Sequence, residues 1–102
     1  MKVTFEPAAR NELERIYAWI AQNNARAARD IIARIEAKAM LLTTASLARI
    51  GRSGLVEGTR ELIEWPYLIV YKVDEALGEV VVVAVFHGAQ DREGSADNRD
   101  NP

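Results

Sequence analysis

The 102-residue chain contains no cysteine. That removes a disulfide framework, a thiolate metal site and a cysteine nucleophile from consideration. A single histidine, His87, excludes a multi-histidine metal centre, and the expectation is a protein without metal or cofactor. Long apolar runs are also missing. The longest, residues 80–86, is the length of a strand and far short of the roughly 18 residues of a membrane span. Residues 1–20 carry Glu6, Arg10, Glu12, Glu14 and Arg15, so no apolar leader segment is present there. A cytoplasmic protein that makes no membrane contact is the expected setting. Excess positive charge is lacking as well. The net charge is −2, all of it within residues 89–102, where Asp91, Glu93, Asp97 and Asp100 outnumber Arg92 and Arg99. The remainder is electrically neutral, unlike a protein that holds nucleic acid by charge alone.

What the chain does have is apolar residues, 49% of the total, enough to close one core. Its length suits one domain, expected over residues 1–90, with a polar and flexible tail at 91–102. Val3 and Phe5 alternate with Lys2 and Thr4, the pattern of a short strand with one buried face. Pro7 suits a first helical turn, where its missing N–H costs nothing. Leu13, Ile16, Tyr17 and Ile20 then form an apolar stripe of helical period. Asn23 and Asn24 interrupt it. A second helix from about Ala25 is marked by Ala28, Ile31, Ile32, Ile35, Ala39 and Leu42, and the short link predicts an antiparallel helix hairpin. Its polar face carries Arg26, Arg29, Arg34 and Lys38, a solvated stripe.

Residues 45–58 read as a loop bearing Gly51, Gly54 and Gly58. Residues 59–65, 67–73 and 80–86 read as three strands joined by a turn at Pro66 and a hairpin turn at 74–78. Connections this short force an antiparallel meander. The expected class is therefore α+β: an N-terminal strand, a two-helix hairpin, and a three-stranded meander completing a mainly antiparallel four-stranded sheet.

Few residues are equipped for chemistry. His87 ends the most apolar strand; an imidazole titrates near neutrality and suits proton transfer, and it equally suits a structural hydrogen bond at a strand end. Arg60 follows the glycine-bearing loop. Its guanidinium fits a two-pronged grip on phosphate, or a cross-strand ion pair with an acid such as Glu61 or Glu64. Arg49, Arg52 and Lys72 would add positive charge near Arg60 and are candidates for substrate binding. Trp19 and Trp65 are candidates for partner contact, since tryptophan is enriched in interface hot spots, with core packing as the commoner fate. No phosphate loop, dinucleotide fingerprint or nucleophile elbow is present.

Several segments, in order, resemble the RelE/ParE superfamily, the toxic halves of bacterial type II toxin–antitoxin modules. The run Ala8, Ala9, Arg10, Asn11, Glu12, Leu13 and the run Ile16, Tyr17, Ala18, Trp19, Ile20, Ala21 are similar to the superfamily's first helix. Gly51 and Arg52, then Val56, Glu57, Gly58, Thr59, Arg60, Glu61 and Leu62, are similar to its loop and second strand. Residues 67–73 are similar to its third strand and residues 83–90 to its last. The resemblance spans residues 3 to about 92.

It implies a toxin that inhibits growth unless its antitoxin is bound, and it leaves two modes of action. RelE-like members cleave messenger RNA in the ribosome, by attack of a ribose 2′-hydroxyl on the adjacent phosphate. Under that reading, taken first, Arg60 matches a phosphate-binding arginine, His87 a proton-transfer position, and Arg49 and Arg52 assist. Two features depart from it: no tyrosine follows His87, and basic residues are thin. ParE-like members instead inhibit DNA gyrase by protein contact, without a hydrolytic site. Either mode implies an antitoxin partner, wrapped across the toxin in a hetero-oligomer.

Overall fold

The computed structural model describes residues 1–88. The tail expected at 91–102 lies outside the described residues. Strand β1 (Lys2–Phe5) leads into helix α1 (Pro7–Ala21), which opens with proline in its first turn. Asn24 caps α2 (Ala25–Met40): its side-chain oxygen accepts a hydrogen bond from the Ala27 amide at 2.9 Å. The asparagine that ends one helical pattern thus starts the next, satisfying one of the amides a helix N-terminus leaves unpaired. The helices pack as the expected hairpin, with the Arg10–Glu36 ion pair at 3.5 Å between them. Two short 3-10 turns, Leu41–Thr43 and Ala45–Leu47, follow. Then come β2 (Arg52–Ser53), β3 (Arg60–Glu64), β4 (Tyr67–Asp74) and β5 (Glu79–His87).

The sheet has five strands in the order β1-β5-β4-β3-β2, which corrects the expected four. The added strand, β2, lies in the stretch read as loop. Two residues carry too little periodicity to be seen; they pair because Arg52 and Ser53 fall opposite Glu61 and Arg60. The meander β3-β4-β5 is antiparallel as expected, whereas β1 runs parallel to β5, Lys2 opposite Glu79 through Phe5 opposite Val82. A register shift opposite Val70 and Tyr71 marks a bulge in β5.

Both helices cover one face of this sheet. Leu13, Ile35 and Ala39 meet Leu62, Ile69, Tyr71, Val80, Val82 and Val85 in the core. Side chains alternate along a strand, and residues opposite each other across an antiparallel pair share a face. The register therefore sorts the polar positions. Arg60, Glu64, Tyr67, Tyr71 and His87 leave the helix-covered face, while Glu61, Val70, Lys72 and Phe86 leave the opposite one. Glu64 accordingly meets α2, pairing with Arg34 at 3.0 Å and Lys38 at 3.8 Å. Two cations of the solvated α2 stripe are thereby tied to the sheet. No helix of the described residues is long and apolar enough to cross a membrane.

Candidate functional site

Arg60 begins β3 directly opposite Tyr71 of β4. Its Nη1 donates to two backbone carbonyls, Gly51 at 2.8 Å and Arg49 at 3.1 Å. The Gly51 amide in turn donates to the Tyr71 hydroxyl at 2.9 Å. Two side chains from neighbouring strands thus hold the backbone of residues 49–51. The two acids weighed as its ion-pair partners are engaged elsewhere: Glu64 with α2, and Glu61 with Arg52, whose Nε donates to Oε1 at 3.1 Å. Glu61 is only 3% exposed, so the Arg52 guanidinium stabilises a carboxylate that would otherwise be costly to bury.

Arg49 turns outward and meets Glu75 in the β4–β5 turn, with Nη2 at 2.6 Å from Oε2. Lys72 is exposed, on the face opposite Arg60, beside a groove lined by Leu55, Val56, Val70, Ala84 and Phe86. Arg49, Arg52, Arg60 and Lys72 therefore do not converge. Two of the four are offset by acids, and the other two leave opposite faces of the sheet.

His87 ends β5 opposite Tyr67, the two rings meeting edge to face with centroids 5.6 Å apart. Both border a cleft of about 510 Å³ beside α1, walled by Ile16, Trp19 and Ile20 and rimmed by Glu12 and Arg15. The rim pair is itself an ion pair at 2.9 Å.

Arg60 and His87 flank β4 on opposite sides and four residues apart along it. With about 3.3 Å per residue and about 4.8 Å per strand spacing, their backbones are about 16 Å apart. In the structure the two side chains have different partners, Arg60 the carbonyls of residues 49 and 51 and His87 the ring of Tyr67. Among the described residues, no group of three or more His, Cys, Asp or Glu is placed to hold a metal ion.

The two tryptophans are both on the surface. Trp19 is 73% exposed on α1 at the cleft wall, and Trp65 is 67% exposed in the β3–β4 turn. Leu55 and Val56, on the segment between β2 and β3, are comparably exposed. Sequence reasoning missed three members of this arrangement. The Tyr71 hydroxyl was hidden in a run read only as apolar, and Gly51 was read for backbone freedom, not for close packing. Glu61 was seen only as a neighbour of Arg60. Strand alternation is the signal that separates Glu61 from Arg60, since adjacent residues point to opposite faces.

Comparison with known proteins gives a consistent picture. Residues 3–92 match the model of a family described as ParE toxin of type II toxin–antitoxin system, parDE. No curated protein sequence matches. Among solved structures, the chain is similar to one from the chromosomal ParDE toxin–antitoxin system of P. aeruginosa. The identity is 20% and the TM-score 0.72, over 85% of this chain and 95% of that one. It is also similar to a chain of the toxin–antitoxin complex RelBE2 from Mycobacterium tuberculosis, at 23% identity and TM-score 0.63, over 84% and 95% of the two chains. The isolated E. coli RelE toxin superposes with TM-score 0.63 at 13% identity, over 97% of each chain. At these identities the structures attest the fold.

Proposed function

Because the chain belongs to the ParE toxin family of type II toxin–antitoxin systems, within the RelE/ParE superfamily, we propose that it acts in the ParE-like manner. It arrests growth by binding DNA gyrase and does so without cleaving RNA. In the cytoplasm it is silenced by a separate antitoxin, with which it forms a hetero-oligomer.

The observation that supports this reading, beside the family match, is the engagement of Arg60 by the backbone of residues 49–51, while His87 meets Tyr67 on the other side of β4. A nuclease needs cation and proton donor at one phosphate. A binding protein needs exposed apolar side chains, and Trp19 and Trp65 supply them. The antitoxin is drawn from the two similar structures solved as toxin–antitoxin systems.

The test is a supercoiling assay with purified gyrase and the folded full-length chain. Loss of supercoiling is expected. Undiminished supercoiling at saturating protein, with arrest of translation and cut messenger RNA on induction, would replace this reading by the RelE-like one. His87→Ala separates the two further. A general acid or base contributes about a hundredfold or more, so the variant should lose toxicity if RNA is cleaved and, as one residue of the cleft lining, at most weaken it modestly if gyrase is bound.

A further inference from the structure

The segment between β2 and β3 is built as an excursion with a fixed root. At its tip the chain closes on itself: the Gly54 amide donates to the Thr59 carbonyl at 2.8 Å and the Thr59 amide to the Val56 carbonyl at 3.0 Å. Gly58 takes a φ of +87°, a conformation that disfavours any other residue. Leu55 and Val56 ride on this tip. The root is held at residues 49–51, where Arg60 takes both carbonyls and Tyr71 takes the intervening amide. Packing there is close enough that a Cβ on Gly51 would lie 2.7 Å from the Glu61 carbonyl and 2.7 Å from the Tyr71 hydroxyl.

We propose that Arg60 is a positioning residue: with the Tyr71 hydroxyl it clamps the backbone of residues 49–51 and so sets the 52–59 segment. Its contribution to growth arrest runs through that segment and not through contact with a phosphate. Three observations support this. One Nη1 carries both hydrogen bonds, and a charged donor makes a stronger bond to a carbonyl than a neutral one. Arg60 and Tyr71 are register partners, so the clamp is part of the β3–β4 pairing. Residue 51 must be glycine for Tyr71 and the β3 backbone at Glu61 to close on it. The link to growth arrest rests on the toxin reading above; the clamp itself does not.

The experiment is residue-resolved amide hydrogen exchange on the purified full chain, run beside growth arrest on induction. The series is Arg60→Ala, Arg60→Lys, Tyr71→Phe and the double variant Arg60→Ala with Tyr71→Phe. Arg60→Ala should speed exchange at residues 49–54 by about tenfold or more, and Tyr71→Phe by about threefold or more, as losses of a charged and a neutral hydrogen bond. The amides of Ile69 and Val85, in the core strands, should keep their protection. The double variant should fall short of the product of the single effects, because both act on the same three-residue stretch of backbone. Arg60→Lys keeps the charge on a side chain one bond shorter and should leave the segment open. Growth arrest should weaken in step with exchange across the series.

Wild-type exchange at residues 49–54 in Arg60→Ala would overturn the clamp. Restored growth arrest in Arg60→Lys with the segment still open would assign Arg60 to ligand contact by charge and overturn the positioning role. A wild-type chain that does not arrest growth would sink the toxin reading, while the exchange series would still decide the clamp.

Discussion

Strand β4 carries two tyrosines on one face, and the molecule uses them in opposite ways. Tyr71 is fully buried, and its hydroxyl accepts the Gly51 amide, locking a connecting segment to the sheet. Tyr67, four residues earlier, presents its ring to His87 and to the cleft beneath Trp19. At one end of the strand, polar atoms are turned onto the protein's own backbone. At the other, ring surfaces border an opening. The first end is suited to holding shape and the second to meeting something else, although one strand and one residue type serve both.

The contrast breaks most visibly if the two tyrosines prove equally important to stability. Tyr71→Ala should cost about 4 kcal/mol, since it opens a cavity in a close-packed core. Tyr67→Ala should cost about 3 kcal/mol, because that ring belongs to the same core but borders the cleft on one side. Urea denaturation measures both, and equal losses would end the distinction. Glycines at the two ends sharpen it. Gly51→Ala should cost about 2–3 kcal/mol, because the added methyl meets the Glu61 carbonyl and Tyr71 ring at overlap distance. Gly88→Ala, where a Cβ would stand 3.3 Å from the Pro66 carbonyl, should cost under about 1 kcal/mol.

Trp19→Ala should change stability by less than about 0.5 kcal/mol, yet weaken binding of whichever partner uses the cleft by about tenfold or more. Isothermal titration against antitoxin and against gyrase reads the effect. The smallest change is expected from Arg49→Ala. Its pairing with Glu75 is exposed on both sides, so stability should fall by less than about 0.5 kcal/mol, and by less again in high salt.

Local features of this fold were legible in the sequence. Period placed α1 and α2, Asn23 and Asn24 marked the break between them, and apolar runs placed β3, β4 and β5 to within a residue or two. These follow from neighbours in the chain. What was not legible depends on residues far apart. The parallel partner of β1 lies beyond both helices, and β2 exists only because β3 is beside it. The same divide runs through the candidate site. Arg60 and His87 stood out as residue types, but nothing local says that one faces carbonyls of residues 49 and 51 and the other the ring of Tyr67. A guanidinium is as good a donor to a carbonyl as to a phosphate, and only the fold chooses between them.

The parallel pairing of β1 with β5 sets an order in time. Lys2 pairs opposite Glu79, so the first strand made waits for the last. At about 5–20 residues per second, a ribosome needs roughly 4–15 seconds to synthesise the stretch between them. Through that interval α1 and α2 can form and pack as a hairpin, but one edge of the sheet has no partner to close against. The completed sheet thus waits on the opening residues of the strand that ends at His87, Glu79 to Val82, and a chain halted before β5 carries the helices without it.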